Sequence, residues 1–360
     1  MPNRYRIATF NCENLFNRAK VLNLRSHEDT GALLDQVAKL EGLLQKDTYN
    51  PATKAAILKL AKELSPYVDI AEDRGKLFTG TGANRRITAS GRGGWDGGIV
   101  FRRASFKDQQ REMTAKVIAE VDADIQALVE VEDRLSVDAF SRQLLASQKF
   151  EFNMVVDGFD PRGIDVGALS KYPIVGIRTH IFDRDADGRV FSRDCLELDI
   201  QLKAGRTLHL LVNHFKSQGY GDASSNNAKR LRQAKAVRKI LGDQYDLSKD
   251  LVALVGDFND SPSSAPLAPV IQLQGLNDVL ASTFPNAADR WTYHYRKNEQ
   301  IDFILVSDAL HQCLRDAGVE RRGMPRLSKN TVSGEIPFSG VTGTSTAASD
   351  HAAVWADFVI

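Results

Sequence analysis

Amide, carboxylate and imidazole side chains recur at the ends of short apolar runs in this 360-residue sequence. Taken singly, each has an ordinary explanation, because a carboxylate that ends a strand is often its solvated tip and a histidine there is often a satisfied polar residue. Taken together they favour one site, because strand ends lie on a rigid scaffold and commonly hold functional groups. Oxygen donors dominate the set, which suits Mg²⁺ or Mn²⁺ better than structural zinc. The set comprises Asn11, Glu13, Glu130, Asn213, His214, Asp257, Asn259, Asp302, Asp350 and His351.

The apolar runs themselves predict buried strands. Short, continuous apolar runs are typical of strands covered on both faces, and here they are residues 5–10, 125–129, 208–212, 251–255 and 301–306. Residues 193–202 alternate with period two instead, which predicts an antiparallel strand with one solvated face. Helical periodicity at 107–121, 137–146 and 227–241 lies between the strands. Strands mixed with helices in this way predict an α/β or α+β fold.

Residues 17–97 differ from the rest and predict an insertion after the first strand. Residues 31–44 have a helical pattern, and Asn50 followed by Pro51 marks the start of a second helix. Residues 75–98 are polar and rich in glycine, and we interpret them as a mobile loop. We therefore predict a single domain over residues 1–360 that contains a helical and Gly-rich insertion at 17–97.

Composition excludes several classes of protein. Lys and Arg number 47 against 46 Asp and Glu, so the chain has no global basic field that would indicate nucleic acid. Three scattered cysteines are too few for a disulfide framework. No stretch approaches the roughly 20 apolar residues of a membrane span, and no signal peptide precedes the first strand. We expect a monomer that is cytoplasmic as the sequence stands, or secreted or periplasmic if a leader has been removed.

In their order along the chain, these motifs resemble the endonuclease/exonuclease/phosphatase superfamily, and bacterial nuclease-type members are the most similar. The pairing of a Gly-Asp-Phe-Asn segment with a Ser-Asp-His segment near the end is specific, and the resemblance covers nearly the whole chain outside the insertion. It implies a four-layer sandwich of two packed mixed sheets flanked by helices, with the site at one end of the sheets. The matching residues are Asn11 and Glu13, Glu130, Asn213 and His214, Gly256 to Asn259, Asp302, and Ser349 to His351.

The resemblance also implies a metal site. Glu130 would be the principal ligand, with Asn11 and Glu13 beside it, although many family members have Asp or no ligand at the position of Glu13. Asp350 would either bind the metal or orient His351. The implied cofactor is Mg²⁺ or Mn²⁺.

The remaining residues would act on the substrate. Asp257 would orient or deprotonate the attacking water, and Asn259 would hold the phosphate or the nucleophile. His351 would contact phosphate oxygens or act as a base, while Asp302 would fix its tautomer. His214 matches the second histidine of the deoxyribonuclease and phosphatase branches.

Three residues are further predicted to contact substrate phosphate: Asn213, Lys216 and Arg230. Arg230 belongs to residues 229–239, which hold six basic residues and no acid. This segment either tracks a nucleic-acid backbone or forms the solvated face of a helix. Asn213 either donates to a phosphate oxygen or caps a turn.

The predicted function is metal-dependent hydrolysis of phosphodiester bonds in nucleic acid, by an endonuclease or exonuclease acting on DNA or RNA. A divalent ion would neutralise the phosphate, and imidazole and amide donors would stabilise charge in the transition state. The alternative is a phosphatase or phospholipase-like hydrolase of a small or lipid phosphoester. A binding module with a decayed site is disfavoured, because the costly buried polar cluster is intact.

Overall fold

The computed structural model describes residues 3–16, 19–20, 27–103, 109–219, 221–325 and 335–360. Its strands are β1 (Arg4–Leu15), β2 (Val68–Gly75), β3 (Phe78–Thr79), β4 (Arg86–Ile87), β5 (Trp95–Phe101), β6 (Ile125–Val131), β7 (Phe152–Val156), β8 (Asp165–Ser170), β9 (Ile174–Arg178), β10 (Arg184–Asp185), β11 (Gly188–Arg189), β12 (Cys195–Gln201), β13 (Thr207–His214), β14 (Leu251–Asp257), β15 (Leu276–Asp278), β16 (Tyr293–His294), β17 (Asn298–Glu299), β18 (Asp302–Ser307), β19 (Leu314–Glu320) and β20 (Ala353–Val359). Its helices are α1 (His27–Leu44), α2 (Pro51–Glu63), α3 (Gln109–Val121), α4 (Arg134–Leu144), α5 (Ala223–Gln244), α6 (Ala268–Ile271), α7 (Val279–Thr283) and α8 (Asp308–His311).

The chain divides into two compact units, one formed by Met1–Phe16 with Phe106–Ile360 and the other by Asn17–Ser105. The larger unit contains two six-stranded sheets. The first has the order β19-β20-β1-β6-β8-β7 and the second the order β15-β18-β14-β13-β12-β9. Both sheets mix parallel and antiparallel pairs, because β1 is parallel to β6 and β13 is parallel to β14.

Apolar residues of the two sheets meet in one core. Alternate residues of β1 and β6, such as Ile7 and Val129, pack with alternate residues of β13 and β14, such as Leu210 and Val255. Helices α3 and α4 cover the outer face of the first sheet, and α5 and α6 cover that of the second. Because both faces of the sheets are covered, β6 and β14 are buried along nearly their whole length, as their largely apolar sequences predicted. The predicted fold of two mixed sheets flanked by helices is confirmed.

The solvated face predicted for residues 193–202 is wrong at Glu197, although Asp199 and Gln201 on the same face are partly exposed. The segment does form an antiparallel strand, β12, which pairs with β13 and β9. However, Glu197 is only 1% exposed. Its carboxylate accepts hydrogen bonds from His180 Nε2 at 2.5 Å and Arg178 Nε at 3.1 Å, and from the Tyr245 hydroxyl. These partners come from other parts of the chain, so the alternation of β12 alone does not reveal them.

The smaller unit has its own core, to which α1, α2 and the short strands contribute. Asn50 caps α2, as predicted, because its side chain accepts a hydrogen bond from the Thr53 amide at 2.8 Å. The glycine-rich residues 75–98, which we predicted to be a mobile loop, include β3, β4 and the start of β5. Two of the glycines allow close approach of backbones. A Cβ atom at Gly91 would lie 1.7 Å from a carbonyl oxygen, and one at Gly97 would lie 2.0 Å from another.

No helix in the described ranges is long and apolar enough to cross a membrane. The three cysteines are free.

Candidate active site

The register of the two sheets brings the predicted polar residues to one end of the larger unit. In the first sheet, Asn11 on β1 pairs with the residue of β6 that precedes Glu130. In the second sheet, Asp257 on β14 lies opposite both His214 on β13 and Asp302 on β18. Side chains separated by hundreds of residues in sequence therefore come together as a consequence of strand pairing.

The backbone is unusual at these strand ends. Glu13, Glu130 and Asn259 have φ values of 47°, 61° and 55°, in the left-handed region that non-glycine residues seldom adopt. Gly256 has a φ of 129°, and a Cβ atom there would lie 1.9 Å from the carbonyl oxygen of Asn213. Strained conformations of this kind persist where the surrounding structure enforces them, and they are concentrated at functional sites.

His351 and Asp302 form a buried hydrogen-bonded pair. His351 Nδ1 lies 2.9 Å from Asp302 Oδ2, and the hydroxyl of Thr292 donates to the same oxygen at 2.7 Å. Burial lowers the pKa of His351, but the negative charges of Asp302 and Asp257 outweigh burial and raise it well above its ordinary value. The other ring nitrogen, Nε2, lies 3.9 Å from carboxylate oxygens of Asp257 and Asp350. The pair therefore presents a protonated nitrogen to the centre of the site.

Asp257 occupies that centre. Its Oδ2 accepts hydrogen bonds from the amides of Asn11 at 3.1 Å and Asn259 at 3.0 Å, and its Oδ1 accepts one from the Asn259 backbone at 2.8 Å. Nε2 of His214 is 3.5 Å from Oδ2. Burial raises the pKa of Asp257, although the neighbouring charge of His351 opposes the rise. Burial also lowers the pKa of His214 well below its ordinary value, so this imidazole is neutral.

The carboxylates of Glu13, Glu130 and Asp350 lie beside this centre. Glu13 accepts a hydrogen bond from the Asp350 amide at 3.1 Å, and its own amide donates to Asn11 Oδ1 at 3.1 Å. Glu130 Oε1 is 3.8 Å from His214 Nε2. Burial and the charge of Asp350 raise the pKa of Glu13 to about 7, and burial raises that of Glu130. Both carboxylates are thus held where a nearby positive charge would favour their ionised forms.

This donor set fits a divalent cation. The predicted ligands are carboxylate and amide groups, and hard cations such as Mg²⁺ and Mn²⁺ prefer oxygen donors. A second set of residues could also hold a metal ion by distance alone. The ligand atoms of Asp257, Asp302 and His351 lie within 4.8 Å of one another. Since His351 and Asp302 are hydrogen-bonded to each other, their geometry suits proton positioning better than chelation. We therefore favour Asn11, Glu13, Glu130 and Asp350 as the ligand set.

Two of the three residues predicted to contact phosphate have their side chains directed elsewhere. Asn213 is fully buried and donates to a carbonyl oxygen of its own strand. Arg230 is also buried, and its guanidinium donates to Asp260 at 3.1 Å, to the Lys216 carbonyl at 3.0 Å and to Asn227. Lys216 is half-buried in the loop after His214. The phosphate contacts of all three residues stay predictions. The bonds that Asn213 and Arg230 form in the structure hold the fold together.

Two residues that support the site, Arg193 and Thr292, were not predicted from the sequence. Arg193 is 2% exposed, and its guanidinium donates to the carbonyl oxygens of His214 at 3.2 Å and Phe215 at 2.5 Å and to Asp160 at 2.8 Å. Thr292 bonds Asp302, as described above. For Arg193 the sequence offers a weak signal, because a charged residue stands just before strand β12. We find no sequence signal for the threonine.

Comparison with known proteins identifies the family of the chain. Residues 95–317 match the model of the Endonuclease/Exonuclease/phosphatase family. The match covers more than half of the chain, so the chain belongs to this family, and the predicted family membership is confirmed. No curated protein matches the chain.

Solved structures share the fold. An endonuclease/exonuclease/phosphatase family protein from Bacteroides thetaiotaomicron is 14% identical, with coverage of 100% of this chain and 96% of that one and a TM-score of 0.54. Beta toxin from Staphylococcus aureus is 18% identical, with coverage of 69% and 91% and a TM-score of 0.50. A humanized D. rerio TDP2 is 14% identical, with coverage of 70% and 92% and a TM-score of 0.50. At these identities the likeness concerns the fold.

Proposed function

We propose that this chain hydrolyses phosphodiester bonds in nucleic acid with a divalent metal ion, Mg²⁺ or Mn²⁺. Members of its family are generally phosphoesterases. The observation that carries the proposal is the position of Asp257, whose carboxylate lies within 4 Å of Asn11, His214 and His351. One carboxylate, two imidazoles and an amide thus converge on a single buried centre, next to an oxygen-rich ligand set.

The metal would be held by Glu130, with Asn11, Glu13 and Asp350 beside it. When bound, a divalent ion neutralises phosphate oxygens and stabilises the leaving oxygen. The raised pKa values of Glu13 and Glu130 support this assignment, because a cation would offset the cost of burying their charges.

The other residues have separable roles in this proposal. Asp257 orients the attacking water or accepts its proton, and the amides of Asn11 and Asn259 fix its carboxylate. His351, kept protonated by Asp302, donates from Nε2 to a phosphate oxygen, and such charge-assisted hydrogen bonds are strong. His214, being neutral, donates a hydrogen bond to phosphate without repelling a cation.

The second candidate is a hydrolase of a small or lipid phosphoester. The nearly equal totals of basic and acidic residues favour it, because binding of long nucleic acids usually relies on excess positive charge. Pairing of Arg230 with Asp260 and of Arg232 with Asp185 further reduces the free charge on α5.

One substrate panel distinguishes the candidates. Duplex DNA, single-stranded DNA, RNA, abasic DNA, an inositol phosphate and sphingomyelin are each incubated with Mg²⁺, Mn²⁺ or chelator. We expect cleavage of a nucleic acid that stops with chelator. Hydrolysis of only the inositol phosphate or sphingomyelin would establish the second candidate, and metal-independent cleavage would contradict the proposed metal.

A further inference from the structure

One face of α5 is polar although it packs inwards. Asn226, Lys229, Arg230 and Gln233 are spaced three and four residues apart, so they lie along one side of the helix. Asn226, Arg230 and Gln233 are buried, and Lys229 is half-buried. A helix that buries polar residues needs hydrogen-bond partners for them, and here the partners belong to the loop that follows His214.

That loop is held between α5 and the catalytic centre. Gln233 accepts a hydrogen bond from the Lys216 amide at 2.8 Å, and Arg230 donates to the Lys216 carbonyl at 3.0 Å. Asn226 donates to the Gln218 carbonyl at 3.3 Å, and the Gln218 side chain donates to the Asn259 carbonyl at 2.9 Å. The polar face of α5 is therefore connected through one short loop to Asn259 of the proposed site.

The arginines of this region pair with carboxylates, and two of them share one carboxylate. Arg193 pairs with Asp160 at 2.8 Å, and Arg162 pairs with the same carboxylate at 3.1 Å. Arg230 pairs with Asp260 at 3.1 Å. Arg232, two residues further along the helix, pairs with Asp185 and lies 3.7 Å from Asp187.

Lys229 differs from them. In the part of the chain that the structure describes, its ammonium group forms no hydrogen bond or ion pair. Burial lowers the pKa of Lys229, and the charges of Arg193, Lys216 and Arg232 lower it further. Arg193 and Arg162 share the single carboxylate of Asp160, and Lys229 has no carboxylate partner among the described residues, so the pairing leaves an excess of positive charge near Lys229. An anion placed there would meet this excess charge and a partly desolvated donor.

We propose that Lys229, with Lys216 beside it, binds a second phosphate of the substrate, next to the phosphate that is cleaved. The substrate would then be a polynucleotide strand, in which every phosphodiester has a neighbouring phosphate, and not a lipid or small molecule with one. This inference rests on the proposed function and specifies the substrate class of the same site.

The test uses the full chain and three dinucleotides that share one phosphodiester bond: thymidylyl-thymidine without a terminal phosphate, with a 5′ phosphate and with a 3′ phosphate. We expect the wild type to cleave one of the phosphorylated forms with a higher kcat/KM. Lys229→Gln should reduce kcat/KM for that form about fivefold and leave the unphosphorylated form unchanged. Lys229→Arg should keep the preference. Lys235→Gln is the matched control, since Lys235 is exposed on the same helix.

A binding measurement separates this inference from the proposed function. Anisotropy of a labelled ten-residue oligothymidylate is followed in chelator at several salt concentrations, and Lys229→Gln should reduce the log–log salt slope by about 0.7, the value for one lost phosphate contact on a single strand. If the wild type binds the oligonucleotide and Lys229→Gln lowers the salt slope, but the wild type cleaves none of the dinucleotides, the proposed function is overturned and the phosphate subsite is kept. An unchanged slope, or equal losses on all three dinucleotides, would overturn the subsite.

Discussion

The side-chain amide of Asn11, on the first sheet, donates a 3.1 Å hydrogen bond to Oδ2 of Asp257, on the second sheet. This bond joins the two sheets at the proposed site, and both residues are almost fully buried. The same amide nitrogen is 3.5 Å from His351 Nε2. Asn11 therefore links the proposed metal ligands of the first sheet to Asp257, which we propose acts on the attacking water.

Asn11→Ala should lower kcat by about 10²-fold, which is typical for loss of one fixed hydrogen-bond donor at a reacting centre. Steady-state kinetics on the substrate found in the panel, together with circular dichroism, would measure this. Asn277→Ala is a suitable control, because Asn277 is on β15 of the second sheet, away from the cluster. A loss of helical and sheet signal in Asn11→Ala, or activity equal to wild type, would contradict the assigned role.

His351→Ala and Asp257→Ala should each abolish turnover while the fold persists. General acid–base groups typically contribute about 10²–10⁴-fold to rate, and both residues belong to the same cluster. His311→Ala, which removes an imidazole from α8, should have wild-type activity. Near wild-type rates in either site variant would refute the mechanism.

Removal of metal should stop the reaction, and Mg²⁺ or Mn²⁺ should restore it. Glu130→Gln should weaken Mn²⁺ binding at least about tenfold, because it removes a ligand charge. Paramagnetic resonance of free Mn²⁺ measures binding without any need for activity. Glu132→Gln makes the same change two residues away, at a carboxylate that accepts a hydrogen bond from Ser136 at 3.0 Å. Equal Mn²⁺ affinities in the two variants would exclude Glu130 as a ligand.

The sheet that bears Asp257 also contains a network that should make stability depend on pH. Burial lowers the pKa of His180, but hydrogen bonds to Glu197 and Asp183 outweigh it and raise the folded-state pKa above the ordinary value. A raised histidine pKa stabilises the fold fully below the unfolded-state value, and this contribution is lost as pH rises through the folded-state pKa.

His180→Gln should therefore reduce the free energy of unfolding more at pH 6 than at pH 9. The loss at pH 6 should be about 1.5–3 kcal/mol, as for hydrogen bonds to charged groups, and urea denaturation at both pH values measures it. His294→Gln, which removes a half-buried histidine from β16, is the control. A loss of the same size at both pH values would show that the imidazole is neutral in the fold.

Much of the fold could be predicted because burial on both faces leaves a direct mark on a strand's sequence. The runs that became β6, β13, β14 and β18 are largely apolar, and the polar residues at their ends mark one end of the sheets. Strand pairing, parallel between β13 and β14 and antiparallel between β14 and β18, then brings His214, Asp257 and Asp302 together.

The remainder depended on contacts between distant segments. The alternation of residues 193–202 predicted a solvated face, yet Glu197 on that face is buried and bonded to His180 and Tyr245, which come from other elements. Arg230 was singled out by its basic neighbours, but Asp260 neutralises it. Sequence patterns report the residue types of one element, whereas these outcomes depend on which side chains another element places opposite them.

Arg193 shows the same dependence and gives a final prediction. Its guanidinium, 2% exposed, binds Asp160 and the backbone carbonyls of His214 and Phe215. Lysine keeps the positive charge but lacks the planar guanidinium that satisfies three separately directed acceptors. Arg193→Lys should therefore destabilise the protein by about 3 kcal/mol. It should also lower kcat about tenfold with little change in KM. Urea denaturation and steady-state kinetics measure the two effects, and Arg315→Lys on exposed β19 surface should change neither. If Arg193→Lys lost stability but kept wild-type kcat, the arginine would support the fold without positioning His214.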